Sequence, residues 1–348
     1  MSRDEELRRA ETTSEEAYVW PTQPFAGVVG GPRCGTTTLS RMLQSHPQVS
    51  FSEVKEPHFF SMIDLDGKSD DELRDFVAGH YFERYFPDVD PDAKLIAEGS
   101  VSYLYAPERM QAILRLWPDA KFIISARDPL QLIPSLHQRL LYQGDEVEKD
   151  LERAWRLIED RRNGRRVPRS CLDARQLFYD EAARFGKHVS RFFEAVGRER
   201  CHVILFDDLQ AEPEKVHADL IAFLGLDPSP LPVNKSYRSA RGFKIGWLQR
   251  LLKRPPVART VLAGQHFRKR VADAPQREPS WILRRVMDAR LALLRWNRTA
   301  AAKPRVSPDL AHEIRDTLRE DTLAFSRLIE RDLSHWLGGI GPTGEPAP

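Results

Sequence analysis

Phe25-Ala26-Gly27-Val28-Val29-Gly30-Gly31-Pro32-Arg33-Cys34-Gly35-Thr36-Thr37-Thr38-Leu39 sets the architecture of this chain. A short apolar, β-branched run leads into a Gly-rich turn. The turn ends in three threonines, and Leu39, Met42 and Leu43 then follow at helical spacing. The segment is predicted to run strand, tight loop, helix, which aims backbone N–H groups and a helix N-terminus at a phosphate. Gly30 and Gly35 have four residues between them, the frame of a P-loop. The lysine that should follow Gly35 is missing, and Thr36 stands there. Such a loop suits a phosphate-bearing ligand but not ordinary ATP chemistry.

The rest of the chain supplies a sheet around that strand. Residues 94–98 (KLIAE), 121–126 (KFIISA) and 201–206 (CHVILF) read as buried parallel strands, and 49–51 as a short one. Helices are expected over 36–45, 107–116, 173–197 and 213–224, with another from Pro308 onward whose apolar face runs to Leu333. Asp128 is a natural N-cap with Pro129 at the first helical position, and Gly225 closes the 213–224 helix. This alternation predicts an α/β doubly wound parallel sheet with a P-loop-like phosphate-binding loop, plus a helical C-terminal region. Ligands of such sheets bind at the C-terminal ends of the strands. One domain is expected over 23–337, between a disordered arm at 1–22 and a flexible tail at 338–348.

Composition narrows the class. With 41% hydrophobic and 30% charged residues the chain can build a core. Cys34, Cys171 and Cys201 are too few and too scattered for a disulfide framework or a zinc site. They suit a reducing compartment. The first residues carry no apolar signal region, and a cytoplasmic protein is expected. The net charge of +2 hides an uneven distribution. Residues 241–305 hold 17 Lys and Arg against Asp273, Glu278 and Asp288. A solvated helix face accounts for such a run as well as an anionic acceptor or an anionic membrane surface does. Nucleic acid is not expected, because no helix-turn-helix, zinc or RNP-like pattern accompanies the charge.

Chemistry concentrates in three places. Arg33 in the first loop can contact a phosphate bidentately, and Thr36, Thr37 and Thr38 add hydroxyls and backbone donors. A kinase would want the missing lysine and a magnesium-binding carboxylate. Only Glu98 and Asp128 stand near strand ends. In Lys55-Glu56-Pro57-His58-Phe59-Phe60, Glu56 and His58 are candidate proton carriers. His58 is equally readable as an imidazole packed by Phe59 and Phe60, and Glu53 and Lys55 as surface charge.

Together these segments resemble the sulfotransferases that use 3′-phosphoadenosine 5′-phosphosulfate (PAPS), most closely the bacterial and glycan-type branch. Gly30 to Thr37 is similar to that family's 5′-phosphosulfate loop. Residues 121–129, with Ser135 eight positions after Arg127, are similar to its 3′-phosphate site. Residues 55–60 resemble the segment that carries its catalytic base. Residues 206–226 and 307–337 resemble its late strand-helix unit and closing helix. The resemblance implies that Arg33, Cys34, Gly35, Thr36, Thr37 and Thr38 hold the 5′ side, while Arg127 and Ser135 hold the 3′-phosphate. It also implies that Glu56 is the general base, with Arg33 assisting and His58 as the rival base. No metal is implied. The acceptor would be a carbohydrate, glycolipid or other hydroxyl or amine compound.

Three departures stand out. Pro134 precedes Ser135 and should kink its helix. Gly99 replaces a lysine that some glycan sulfotransferases carry after the glutamate. The late glycine-rich loop has no clean counterpart, and Arg238 and Arg241 are the candidates in its place. A P-loop kinase of a small metabolite and a non-catalytic nucleotide-binding scaffold remain the alternative readings.

Overall fold

The computed structural model describes residues 20–232, 241–253, 281–300 and 306–338. Five parallel strands form its centre: β1 (Phe25–Gly30), β2 (Val49–Phe51), β3 (Leu95–Glu98), β4 (Lys121–Ala126) and β5 (Cys201–Leu205), in the order β2-β3-β1-β4-β5. Gly27 lies opposite Glu98 on one side and Phe122 on the other. The strand carrying the Gly-rich loop is therefore central. Its outgoing connection leads to one half of the sheet, and that of β4 to the other half. The crevice between β1 and β4 is the switch point at which doubly wound sheets bind ligands.

Alternation along β1 decides what covers each face. Phe25 and Val29 belong to one buried cluster with Phe122, Ile124 and Phe192. Ala26 and Val28 belong to the other, with Leu39, Leu43, Leu220 and Ile221. The second face is closed by helix α1 (Thr36–Gln44). The helices that follow in the chain are α2 (Asp70–Val77), α3 (Gln111–Leu116), α4 (Pro129–Gln143), α5 (Phe185–Val196) and α6 (Pro213–Leu224). Of these, α5 packs on the first face and α6 on the second. The chain continues through β6 (Arg241–Phe243), α7 (Gly246–Lys253), α8 (Trp281–Trp296), β7 (Arg298–Ala300) and α9 (Pro308–Leu328). Short helical turns fill the connections. β6 and β7 pair antiparallel as a separate two-stranded ribbon.

Three expectations are corrected. Residues 173–197 are not one helix. A 3₁₀ turn (Ala174–Leu177) and one helical turn (Tyr179–Ala182) precede α5. The chain restarts at Phe185 because the N–H groups of Gly186 and Lys187 donate to the Asp321 carboxylate at 2.8 and 2.9 Å. That carboxylate comes from α9, so the break is made by a distant partner. Second, α9 stops at Leu328, and Leu333 reaches the core from beyond it. Glu330 turns the chain with a φ of 54°. Third, Trp20, expected in a loose arm, stacks on Trp117 with ring centroids 5.3 Å apart.

Candidate active site

The loop after β1 is held by contacts that only small residues permit. Gly30 has a φ of 120°, and a Cβ there would lie 2.4 Å from the Ser125 carbonyl of β4. The Gly31 N–H donates to that same carbonyl at 2.9 Å. Gly35 is the left-handed residue before α1, with a φ of 89° and no side-chain cap on the helix. The first N–H groups of a helix have no acceptor within it. Those of Thr36 and Thr37 therefore present a partial positive end toward the crevice. Thr38 is spent inside the turn, its N–H donating to the Gly35 carbonyl at 2.8 Å.

Cys34 does not face a ligand. Its side chain is fully buried, its N–H donates to Gly31 and its carbonyl accepts the Ser125 hydroxyl. Burial drives its thiol far above the usual range, despite the nearby Arg127 and Arg33 charges. Cys34 shapes the loop from within.

Two segments that the sequence keeps far apart converge here. Arg33 Nε donates to Ser135 Oγ at 3.0 Å. Arg127 Nη1 donates to the Arg33 carbonyl at 3.0 Å, and the Arg127 guanidinium lies over the Phe206 ring at 4.1 Å. Pro134 does not carry Ser135 away. It lies inside α4, which runs unbroken from Pro129 to Gln143. Asp128 caps that helix by accepting from the Leu130 N–H at 2.9 Å. Burial, with Asp207 nearby, pushes the Asp128 carboxyl up to about 6, although the Leu130 N–H opposes it. Arg33 has a φ of 72°, a conformation that costs a non-glycine residue energy and is kept where the surroundings enforce it. The result is a crevice with two guanidiniums, a hydroxyl and a helix N-terminus on one side.

The segment with the candidate proton carriers lies beyond β3. The Gly99 N–H donates to the Lys55 carbonyl at 2.9 Å, which ties residues 55–60 to the end of β3. Lys55 is not surface charge. It is half-buried, and its Nζ donates to Glu56 Oε1 at 2.5 Å. His58 Nε2 lies 3.6 Å from Glu56 Oε2, and His58 Nδ1 is 2.7 Å from Ser102 Oγ. Ser102 Oγ in turn lies 2.6 Å from Ser61 Oγ. The imidazole is thus a bridge between a carboxylate and two hydroxyls rather than core packing, while Phe59 and Phe60 carry the core contacts. Burial alone would raise the Glu56 carboxyl. The His58 and Lys55 contacts overcome it and lower the group to about 2. Glu56 is a carboxylate at any physiological pH.

Glu98, at the end of β3, behaves in the opposite way. It is fully buried, and burial pushes its carboxyl up to about 7. The Tyr103, Ser100 and Tyr81 hydroxyls oppose that rise and the Glu56 charge adds to it. Ser61, Ser102 and the Glu98 environment were missed from sequence, because serines and a tyrosine at ordinary spacing carry no pattern. Arg238 lies outside the described residues. Arg241 begins β6.

A profile of the sulfotransferase family matches residues 24–230, more than half of the chain. The chain belongs to the sulfotransferase family. The crystal structure of a sulfotransferase from Alicyclobacillus acidocaldarius superposes with a TM-score of 0.57. It is 22% identical and covers 90% of this chain and 99% of that one, which establishes the shared fold. The bifunctional heparan sulfate N-deacetylase/N-sulfotransferase 1 of Caenorhabditis briggsae is 23% identical over 226 residues, 62% of this chain and 24% of that protein. Human carbohydrate sulfotransferase 15 is 47% identical over 38 residues, 11% of this chain and 7% of that protein. This sulfotransferase therefore spans a quarter or less of the length of these curated relatives.

Proposed function

We propose that this sulfotransferase moves the sulfuryl group of PAPS to a hydroxyl or amine of a carbohydrate or glycolipid acceptor. The 3.0 Å contact between Arg33 and Ser135 carries the reading. It joins the loop expected to hold the 5′-phosphosulfate to the helix expected to hold the 3′-phosphate, so one crevice can grip both ends of a bisphosphate nucleotide. A kinase would need a phosphate-loop lysine, and Thr36 stands in its place. The names of the relatives that act on heparan sulfate and carbohydrate support a glycan acceptor.

The chemistry is an in-line displacement at sulfur: the acceptor oxygen or nitrogen bonds to sulfur as the bond to the 5′-phosphate oxygen breaks. Charge grows on that phosphate, where Arg33 and the α1 N-terminus offer fixed positive potential. Glu56 takes the acceptor proton. In the free protein the His58 and Lys55 contacts make it a weak base, so an acceptor group that draws Lys55 away raises its basicity at the moment of use. His58, backed by Ser102, orients the other carboxylate oxygen.

A thermal shift with adenosine 3′,5′-bisphosphate and labelled-PAPS transfer to a panel of glycans and glycolipids test this reading. Glu56→Gln should lower turnover by about 10²–10⁴-fold while leaving the shift intact. Unchanged turnover would remove Glu56 from the mechanism. Bisphosphate binding with no transfer to any acceptor would favour the scaffold reading.

A further inference from the structure

The helices α7 and α8 expose more apolar surface than a solvated face should. Trp281 is 74% exposed, Trp247 64% and Trp296 55%. Met287 and Leu291 of α8 are exposed as well, and Leu294 is the one apolar residue of α8 that is buried among the described side chains. Patches of this kind mark interaction sites. The same two segments, 241–253 and 281–300, hold nine Lys or Arg and a single acid, Asp288. Lys244 Nζ sits 5.2 Å from the Trp296 ring centre, so charge and aromatic surface are interleaved rather than separated.

This surface is firmly mounted. The buried Asn297 amide donates to the Ile245 carbonyl and to Gln249 Oε1, each at 3.1 Å, and its Oδ1 accepts from the Ile245 N–H at 2.8 Å. Gln249 Nε2 donates to the Tyr142 carbonyl near the end of α4 at 2.7 Å. Arg290 Nε donates to the Leu252 carbonyl at 2.8 Å, which clamps α8 to α7. The helix that bears Ser135 therefore carries the exposed pair.

We propose that α7 and α8 form a docking surface for an anionic lipid bilayer. Exposed tryptophans among Lys and Arg match the two components of an interfacial site, apolar insertion and attraction to acidic headgroups. A second copy docked face to face would set like charge against like charge. No described helix is long and apolar enough to cross a membrane.

The test is co-sedimentation of the full chain with phosphatidylcholine vesicles and with vesicles containing about one third phosphatidylglycerol. Binding is expected to the anionic vesicles, falling as salt is raised. Arg285→Gln with Arg295→Gln should lower partitioning about 30-fold, taking roughly a fivefold loss per basic residue. Trp247→Ser with Trp281→Ser should lower it about tenfold or more. These exposed substitutions should leave the unfolding midpoint and the bisphosphate-induced shift unchanged. No vesicle binding, or equal binding to both vesicle types, overturns the proposal. So does heparin retention insensitive to the tryptophan pair in a chain that ignores vesicles, or a dimer that this pair abolishes. The vesicle readout needs no sulfate donor, so its failure is separable from failure of the sulfotransferase reading.

Discussion

Arg33 and Ser135 lie 102 residues apart in the chain and meet at 3.0 Å across the crevice between β1 and β4. The pair makes the two segments expected to bind anions one unit. Ser135→Ala removes a hydrogen bond to a charged group and should weaken adenosine 3′,5′-bisphosphate binding about tenfold or somewhat more. Arg33→Ala removes a charge and unseats Ser135, and should cost more than Ser135→Ala. The double variant should be weaker than either by less than the product of the two losses, because the residues share one contact. Calorimetric titration of the four proteins measures this. Fully multiplicative losses would mean that the two residues act separately.

The Lys55–Glu56 pair predicts a pH effect of definite sign. Lys55 and His58 hold the Glu56 carboxyl at about 2, against burial. Removing the Lys55 charge must raise it. In kcat/KM measured downward to about pH 4, the native enzyme should show no acid limb from Glu56. Lys55→Met should bend downward within that range as Glu56 takes up a proton. The same variant should gain basicity well above the limb. An identical profile in both proteins would show that Glu56 does not govern the rate.

Glu98 predicts a stability effect in the opposite direction. Its folded carboxyl titrates at about 7 against an ordinary value of 4.5. Between those two pH values the folded state binds the additional proton, so stability falls as pH rises. The contribution reaches roughly 3 kcal/mol above pH 7. Glu98→Gln removes the titration and keeps the shape. It should be more stable than the native chain at pH 8, with the difference shrinking toward pH 4.5. Denaturant unfolding across that range reads the effect. A constant difference would mean that the buried carboxyl does not change its proton count on folding.

Much of this architecture was legible in the sequence because it rests on local chemistry. β-Branched runs made the strands, Gly30 and Gly35 framed the loop, and Asp128 with Pro129 started α4. What was not legible depends on distant partners. The three- and four-residue apolar spacing runs straight across the break before α5, because the break is made by Asp321 in another helix. The buried ion pair of Arg161 with Glu146, joined by the Tyr179 hydroxyl, is likewise assembled from three separate segments. In the site, Lys55 looked like surface charge because what ties its segment down is the end of β3, where the Gly99 N–H donates to the Lys55 carbonyl. The His58–Ser102–Ser61 chain needed residues 58 and 102 brought together by the end of β3.

The glycine at position 99 is a matter of space, and it can be tested by restoring that space. A Cβ at Gly99 would stand 2.5 Å from Ser40 Oγ and 3.3 Å from the Lys55 carbonyl. Any side chain after Glu98, lysine included, requires the Ser40 hydroxyl to move. The Ser40 hydroxyl is buried, and its Oγ has no hydrogen-bond partner in the structure. Ser40→Ala alone should therefore cost little or stabilise slightly, since an unsatisfied polar atom leaves the core. Gly99→Ala alone should cost about 1–3 kcal/mol through overpacking. With Ser40→Ala present, the nearest remaining Ser40 atom is the Cβ at 3.6 Å, an ordinary contact. The second substitution should then recover about 1 kcal/mol or more of the loss. Denaturant midpoints of the four chains close the cycle. Strict additivity would show that the Lys55 carbonyl, not Ser40, is what excludes a side chain from this corner of the active site.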